Sequence, residues 1–247
     1  MVCIILAAGY ATRLYPLTEN FPKPLLEING KSILDHLLDD LDTSEKITKY
    51  IVVSNHRYFE HFKNWRNNKT LKGEIVVLDD GSESNETRLG AVKDVQFAIE
   101  KESINDDVVV IAGDNVLDFS LCSFLDYFEE KKATCVMRYY EENIEKLKKS
   151  GVVKVSCDGK VLNMEEKPAS PKSNWCVPPF YVYAKRDVGM VKKGIDEGCG
   201  TDAPGSFIAW LCEQTTVYAM EMPGTRFDIG NLDSYENAKK TYTGIVK

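Results

Sequence analysis

"LAAGYATRLYPLTENFPKPLLEI", residues 6–28, sets Gly9, Arg13 and Lys23 among Pro16, Pro22 and Pro24. A segment that only reversed the chain would need neither the two cations nor the three prolines. It follows "VCIILAA" (2–8), a continuous apolar run of the kind a central parallel strand shows when both its faces are covered. Ligands of a parallel α/β sheet lie beyond the carboxyl ends of its strands, so 9–23 is where the chain reaches that edge. Gly9 would let the backbone turn tightly and turn N–H groups towards a ligand. Arg13 offers a planar fork for phosphate oxygens, Lys23 a point charge, and the prolines would hold both in place. The expected guest is a polyphosphate. G-x-x-x-x-G-K-[ST] is absent, and so is G-x-G-x-x-G, because the run from Gly9 reads Gly-Tyr-Ala-Thr-Arg-Leu.

Outward from this loop the pattern alternates strand and helix. "ILDHLLDDL" (33–41) places Ile33, Leu34, Leu37, Leu38 and Leu41 at helical spacing, with Ser32 as its cap. Strands are expected at 49–54, 74–79 and 107–114, and helices at 57–68, 89–101 and 120–132. After residue 133 strands dominate: "ATCVMRYY", "GVVKVSC", "KVLNMEEK" and "PFYVYAK", with a tight turn at "CDGK" (157–160). Helices near 187–197 and 205–213, a strand at 216–222 and a helix at 232–242 complete the pattern. The fold class expected is doubly wound α/β with a mixed, mostly parallel sheet and a small β subregion. One domain is expected over 1–247, in two halves, 1–132 and 133–247.

Composition narrows the function. The 247 residues are 43% hydrophobic and 28% charged, ordinary for a folded enzyme. A net charge of −7, from 31 Lys+Arg against 38 Asp+Glu, argues against a general nucleic-acid binder, which needs a basic face. Seven scattered cysteines with no C-x-x-C pair indicate neither a disulfide framework nor a zinc site. No apolar stretch is long enough to span a bilayer, and the N-terminal run lacks a basic leader. A reduced, cytoplasmic chain without membrane partners is expected, and homo-oligomerisation is left open. His36, His56 and His61 form no ligand cluster and read as structural or solvated.

"LAAGYATRLYPLTENFPKPL" resembles the signature of the sugar-phosphate nucleotidyltransferases, the pyrophosphorylase-like family that includes glucose-1-phosphate thymidylyltransferases and uridylyltransferases. That pattern is roughly L-A-A-G-x-G-T-R-L-x-P-L-T followed by P-K-P. Ala11 stands where the family usually has Gly, a change that costs little unless the position needs positive φ. Later pieces follow in family order: "IAGDN" (111–115), "SGVVKV" (150–155), "MEEKP" (164–168) and "RFDIGN" (226–231). "NWCVPPFYVY" (174–183) departs from the family, with Pro178 and Pro179 where a small residue and Gly are usual.

The resemblance implies a nucleoside triphosphate and a sugar 1-phosphate as substrates, with transfer of a nucleoside monophosphate and release of pyrophosphate. It implies nucleotide contacts from Leu6, Ala7, Ala8, Gly9, Ala11 and Thr12, joined by Arg13, Lys23, Gly90 and Asp114. It implies sugar-phosphate contacts from Gly151, Glu166 and Lys167, and Mg²⁺ on Asp114 and Asp228. Arg13, Lys23, Asp114 and Asp228 would be the catalytic set, acting by positioning and charge and not through a covalent intermediate. Three other readings have signatures of their own. A cytidylyltransferase for phosphocholine or a phosphonate would want aromatic neighbours, which Trp175, Tyr181 and Trp210 could supply. A non-catalytic nucleotide-sugar sensor would be expected to lose cationic or metal-binding residues. A glycosyltransferase would usually carry a D-x-D-like metal motif, whereas Asp114 is followed by Asn115 and Val116.

Overall fold

The computed structural model describes residues 1–245. In chain order the elements are β1 (Val2–Leu6), β2 (Glu27–Ile28), β3 (Lys31–Ser32), α1 (Ile33–Thr43), β4 (Lys49–Ser54), α2 (Phe59–Asn67), β5 (Glu74–Asp79), α3 (Ala91–Lys101), β6 (Val108–Ala112), β7 (Asn115–Leu117), α4 (Cys122–Lys131) and β8 (Cys135–Tyr140). They continue with α5 (Ile144–Leu147), β9 (Gly151–Val155), β10 (Val161–Glu166), β11 (Trp175–Val177), β12 (Phe180–Tyr183), α6 (Lys185–Val188), α7 (Met190–Asp196), α8 (Gly205–Leu211), β13 (Tyr218–Glu221), β14 (Arg226–Asp228) and α9 (Leu232–Thr241). This is the expected doubly wound α/β class with a mixed sheet.

By packing, the chain forms two compact units. The first comprises Met1–Arg88, Ala112–Ser123 and the chain from Pro223 on; the second comprises Leu89–Ile111 and Phe124–Met222.

In the first unit β1, β4 and β5 run parallel in that order, with Val2 opposite Lys49 and Lys49 opposite Glu74. Residues Val2–Ile5 and Tyr50–Val53 are buried without alternation, as strands covered on both faces must be. The α1 stripe Ile33, Leu34, Leu37, Leu38 and Leu41 is buried, and Ser32 Oγ accepts the Asp35 N–H at 3.0 Å. A short hairpin, β2–β3, turns on Asn29 and Gly30, both at positive φ (55° and 75°), which is the Asn-Gly signature of a two-residue turn. A second small sheet pairs β14 with β7, setting Asp228 opposite Asn115. One apolar cluster gathers Leu14, Ile28, Val116, Ile229, Tyr235 and Tyr242, so the signature loop, the β7 segment and the last helix share a core.

In the second unit the strands are mostly antiparallel. β12 lies between β6 and β8, β11 lies between β8 and β9, and β10 closes on β9. β13 adds to β8 in parallel. Pro178 and Pro179 explain why β11 and β12 are two strands. Neither proline has an N–H to give a ladder, and the Phe180 N–H closes on the Pro178 carbonyl at 2.8 Å. The chain kinks there and changes partners. The expected turn at 157–160 joins β9 to β10, with Gly159 at φ 84°.

Candidate active site

Lys23 opens a 3₁₀ turn, Lys23–Leu25, whose Pro24 and Leu25 are buried, so its backbone is fixed from inside. Its side chain is only 13% exposed. Nζ donates to Asp114 Oδ2 at 2.5 Å and to the Ile229 carbonyl at 2.9 Å. An ammonium has three donors, so one remains. Gly113 permits this approach: a Cβ there would sit 3.2 Å from Ile5 and 3.4 Å from Pro24. Asp114 follows that glycine, and its own carbonyl accepts the Ile229 N–H at 3.1 Å. Segments from three distant parts of the chain thus meet at one lysine and one aspartate.

The network continues. Asn115, fully buried, donates from Nδ2 to Asp114 Oδ1 at 2.7 Å and accepts from Arg226 Nη1 at 2.8 Å. Arg226 Nη1 lies 3.9 Å from Asp228 Oδ2. Burial would raise the Asp114 carboxyl's pKa, but the Lys23 charge and hydrogen bond, helped by Arg226, outweigh it and hold the group below the ordinary carboxylate range. The β7–β14 register sets Asp228 opposite Asn115, the residue that follows Asp114. Asn115 and Arg226 were not anticipated. The readable signal was Arg-x-Asp on a strand, since residues two apart share a face.

The signature loop is tied down by its neighbours. Asn55 Nδ2 donates to the Ala8 carbonyl at 3.0 Å, buried Thr18 donates from Oγ1 to the Ala11 carbonyl at 2.8 Å, and Tyr58 donates to the Thr18 carbonyl at 2.6 Å. The backbone N–H groups from Ala8 to Arg13 have no acceptor among the described residues. Ala11 sits at φ 48°, ψ 39°, so this position does adopt the left-handed conformation that the usual glycine would reach without strain. Gly9, by contrast, is not at positive φ, and a Cβ there would meet no atom within 4 Å. Among the described residues, the space a side chain at 9 would take is open. Arg13 is exposed and has no ion-pair partner among the described residues.

The second unit holds the other candidates. Glu166 ends β10 with its carboxylate where two side chains are missing: a Cβ on Gly151 would lie 2.9 Å from Oε2, and one on Gly205 only 2.1 Å. No hydrogen bond or ion pair engages it among the described residues. Burial, with the Asp202 charge adding to it and Lys167 opposing, raises its pKa above the ordinary value. Lys167 stands at φ 47° and its Nζ lies 3.6 Å from Asp202 Oδ2. A cavity of about 540 Å³ opens beside them, lined by Glu166, Lys167, Thr201, Asp202, Ser206 and Trp210 among others. Gly90 has a reason of its own to be glycine: it is at φ 93°, and a Cβ would lie 2.5 Å from the Thr201 carbonyl. The N–H groups of Ala91 and Val92 are already taken by Asp202 and Thr201 carbonyls, at 3.4 and 3.0 Å.

A sequence model described as nucleotidyl transferase matches residues 2–244. The chain belongs to the nucleotidyl transferase family. Within that family it is 30% identical over 232 residues to the bifunctional protein GlmU of Methanocaldococcus jannaschii, covering 93% of this chain and 51% of the relative. It is 28% identical over 192 residues to the glucose-1-phosphate adenylyltransferase of Bacillus subtilis, covering 74% and 50%. The chain therefore spans about half the length of these curated relatives. A crystal structure of a UDP-glucose pyrophosphorylase complexed with UDP-glucose shares the fold, with a TM-score of 0.80 at 18% identity over 98% of both chains. The nucleotidyl transferase fold carries no cluster of three or more His, Cys, Asp or Glu suited to a metal among the described residues. The carboxylate oxygens of Asp114 and Asp228 suit a hard divalent ion whose remaining ligands come from elsewhere. All seven cysteines are free thiols. No helix among the described residues is long and apolar enough to cross a membrane.

Proposed function

We propose that this chain transfers a nucleoside monophosphate from a nucleoside triphosphate to a sugar 1-phosphate, giving a nucleotide-sugar and pyrophosphate, in the cytoplasm. The observation that carries the reading is the Lys23–Asp114 ion pair at 2.5 Å, closed by the Ile229 carbonyl. It draws a first-strand loop, a strand end and the penultimate segment into one charged site, in the order the family signature implies.

A phosphate oxygen of the acceptor attacks the α-phosphorus, a new P–O bond forms, and the bond to the β-phosphate oxygen breaks as pyrophosphate leaves. Both substrates are anionic, so the protein's task is to hold them in line and balance charge. The unbonded N–H groups from Ala8 to Arg13 and the open space before Gly9 suit a triphosphate. Lys23, fixed by two of its donors, offers the third to the reacting phosphates, and Arg13 supplies a second cation to the leaving pyrophosphate. Asp114 and Asp228 would hold Mg²⁺, which when bound neutralises triphosphate charge. On the acceptor side, Glu166 would accept from sugar hydroxyls, which fits a carboxylate that has no partner of its own. Lys167 would pair with the acceptor phosphate in exchange for Asp202.

The test is pyrophosphate release by the purified protein with Mg²⁺, each nucleoside triphosphate in turn, and a panel of hexose and amino-sugar 1-phosphates, phosphocholine and aminoalkyl phosphonates. Turnover with a sugar 1-phosphate is expected. Turnover with phosphocholine or a phosphonate alone would overturn the acceptor assignment, and no release with any pair would overturn the transfer.

A further inference from the structure

Arg226 was not part of the expected set, and its position asks for a reason. It sits on β14 two residues before Asp228, on the same face, with a side chain only 16% exposed. Its Nη1 bonds Asn115 Oδ1 at 2.8 Å, and Asn115 in turn bonds Asp114. The same nitrogen lies 3.9 Å from Asp228 Oδ2. The two carboxylates assigned to the metal are therefore matched by two cations from the protein itself, Lys23 on Asp114 and Arg226 beside Asp228. The formal charge of the four groups is zero. A dication approaching such a site gains little, because each carboxylate already has a counter-charge and bringing the ion in would set like charges against one another. The balance changes once a triphosphate is present. Its oxygens draw the cations and supply the negative charge the site lacks.

We infer that Arg226 is a positioning residue that keeps the two-aspartate site electrically neutral until the nucleotide arrives, so that the divalent ion enters with the triphosphate and not ahead of it. This rests on the proposed metal role of Asp114 and Asp228. It differs from a merely structural clasp, in which Arg226 would only tie β14 to β7 through Asn115.

Binding of Mn²⁺ to the whole protein, followed by water-proton relaxation, separates these. It is measured without nucleotide and then with a non-hydrolysable α,β-methylene triphosphate. Wild type should bind Mn²⁺ weakly alone and tightly with the analogue. Arg226→Met should bind Mn²⁺ without nucleotide about tenfold more tightly, since removing one nearby charge from a part-screened site is worth about that factor. Arg226→Lys, which keeps the charge, should stay near wild type. Unchanged nucleotide-free affinity in Arg226→Met, with a lowered melting temperature, would mean a structural clasp and overturn the inference; Arg226→Gln gives the same reading if the methionine variant does not fold. Asp228→Asn isolates the underlying assignment. Loss of Mn²⁺ from its nucleotide complex supports the metal site whatever Arg226 does, and full retention removes the metal site and the inference with it.

Discussion

The Lys23 site in the first unit and the Glu166 site in the second are prepared in opposite ways. At the first, the part-buried cations lie beside carboxylates: Lys23 on Asp114, and Arg226, bonded to the Asn115 amide, near Asp228. At the second, a carboxylate has no partner among the described residues and is accommodated by space, between glycines 151 and 205. Charge complementarity offsets the cost of burial at the first site. Steric clearance makes the second sensitive to a single methyl group. The contrast suits the proposed tasks, because a triphosphate is recognised by charge whereas hydroxyls on a ring are recognised by placed acceptors.

The largest effect should come from breaking the charge network. Lys23→Ala removes a charge-assisted contact in a part-buried site, a loss of roughly 2–4 kcal/mol, or about 30- to 1,000-fold in kcat. Circular dichroism should report an intact fold, and steady-state kinetics with unchanged kcat would show the loop to be scaffold. Arg13→Ala, exposed and unpaired, should lose at least about tenfold in kcat with no loss of stability. Lys167→Ala should raise the acceptor KM by about tenfold or more while leaving the triphosphate KM within about twofold, since one cation facing one phosphate is removed. Equal losses for both substrates would blur the division between the two sites.

The shape-based site is sharpened by Gly205→Ala. The new Cβ would occupy a point 2.1 Å from Glu166 Oε2, which must swing away. Because only the end of a flexible side chain has to move, the fold should survive while the acceptor KM rises by about tenfold, the value of one hydrogen bond to a charged group. A variant with normal acceptor KM would show that Glu166 is not a contact.

Two stability measurements carry the smallest effects. Ala11→Gly relieves a left-handed conformation worth roughly 1–2 kcal/mol but returns part of that as unfolded-chain entropy, so a net gain of up to about 1 kcal/mol and about 2–4 °C in Tm is expected. No change, or a fall, would show that the methyl packing of Ala11 outweighs its strain. For Glu166, the folded pKa is raised, so the carboxyl's contribution to stability is fully present below the unfolded value, about 4.3, and is lost as pH rises through the folded one. Glu166→Gln should therefore melt higher than wild type at pH 7 and converge with it below about pH 4. A gap that stayed constant across that range would point to packing and not to charge.

Most regular elements were legible because their signals are local. The strands at 49–54 and 74–79 were found to the residue, and the α1 stripe was read in full, since hydrophobic period follows directly from backbone geometry. The short pieces escaped. Arg226–Asp228 is three residues long and forms a strand only because Asn115–Leu117 lies opposite; its pattern carries no period of its own. The β2–β3 hairpin did have a local signal, the Asn29-Gly30 turn, which the loop's functional reading overshadowed. Pro178 and Pro179 read as a departure from the family pattern, and in the fold they mark where one strand becomes two.

By itself the sequence determined the α/β class and the kinds of charged residue available to a site, because each depends on residue types and spacings within a few turns of chain. Tertiary structure alone decided which charges neighbour one another. Lys23 reaches Asp114 across 91 positions and Ile229 across 206, Arg226 completes the set across 111, and the chain from Pro223 on joins the first unit. The glycines show the same division of labour. The sequence displays Gly9, Gly90, Gly151 and Gly205 as equals, but packing makes Gly90 a close approach to Thr201 and makes Gly151 and Gly205 room for Glu166, leaving Gly9 with open space. A missing side chain has meaning only through what fills its place, and that is settled by contacts between residues far apart in the chain.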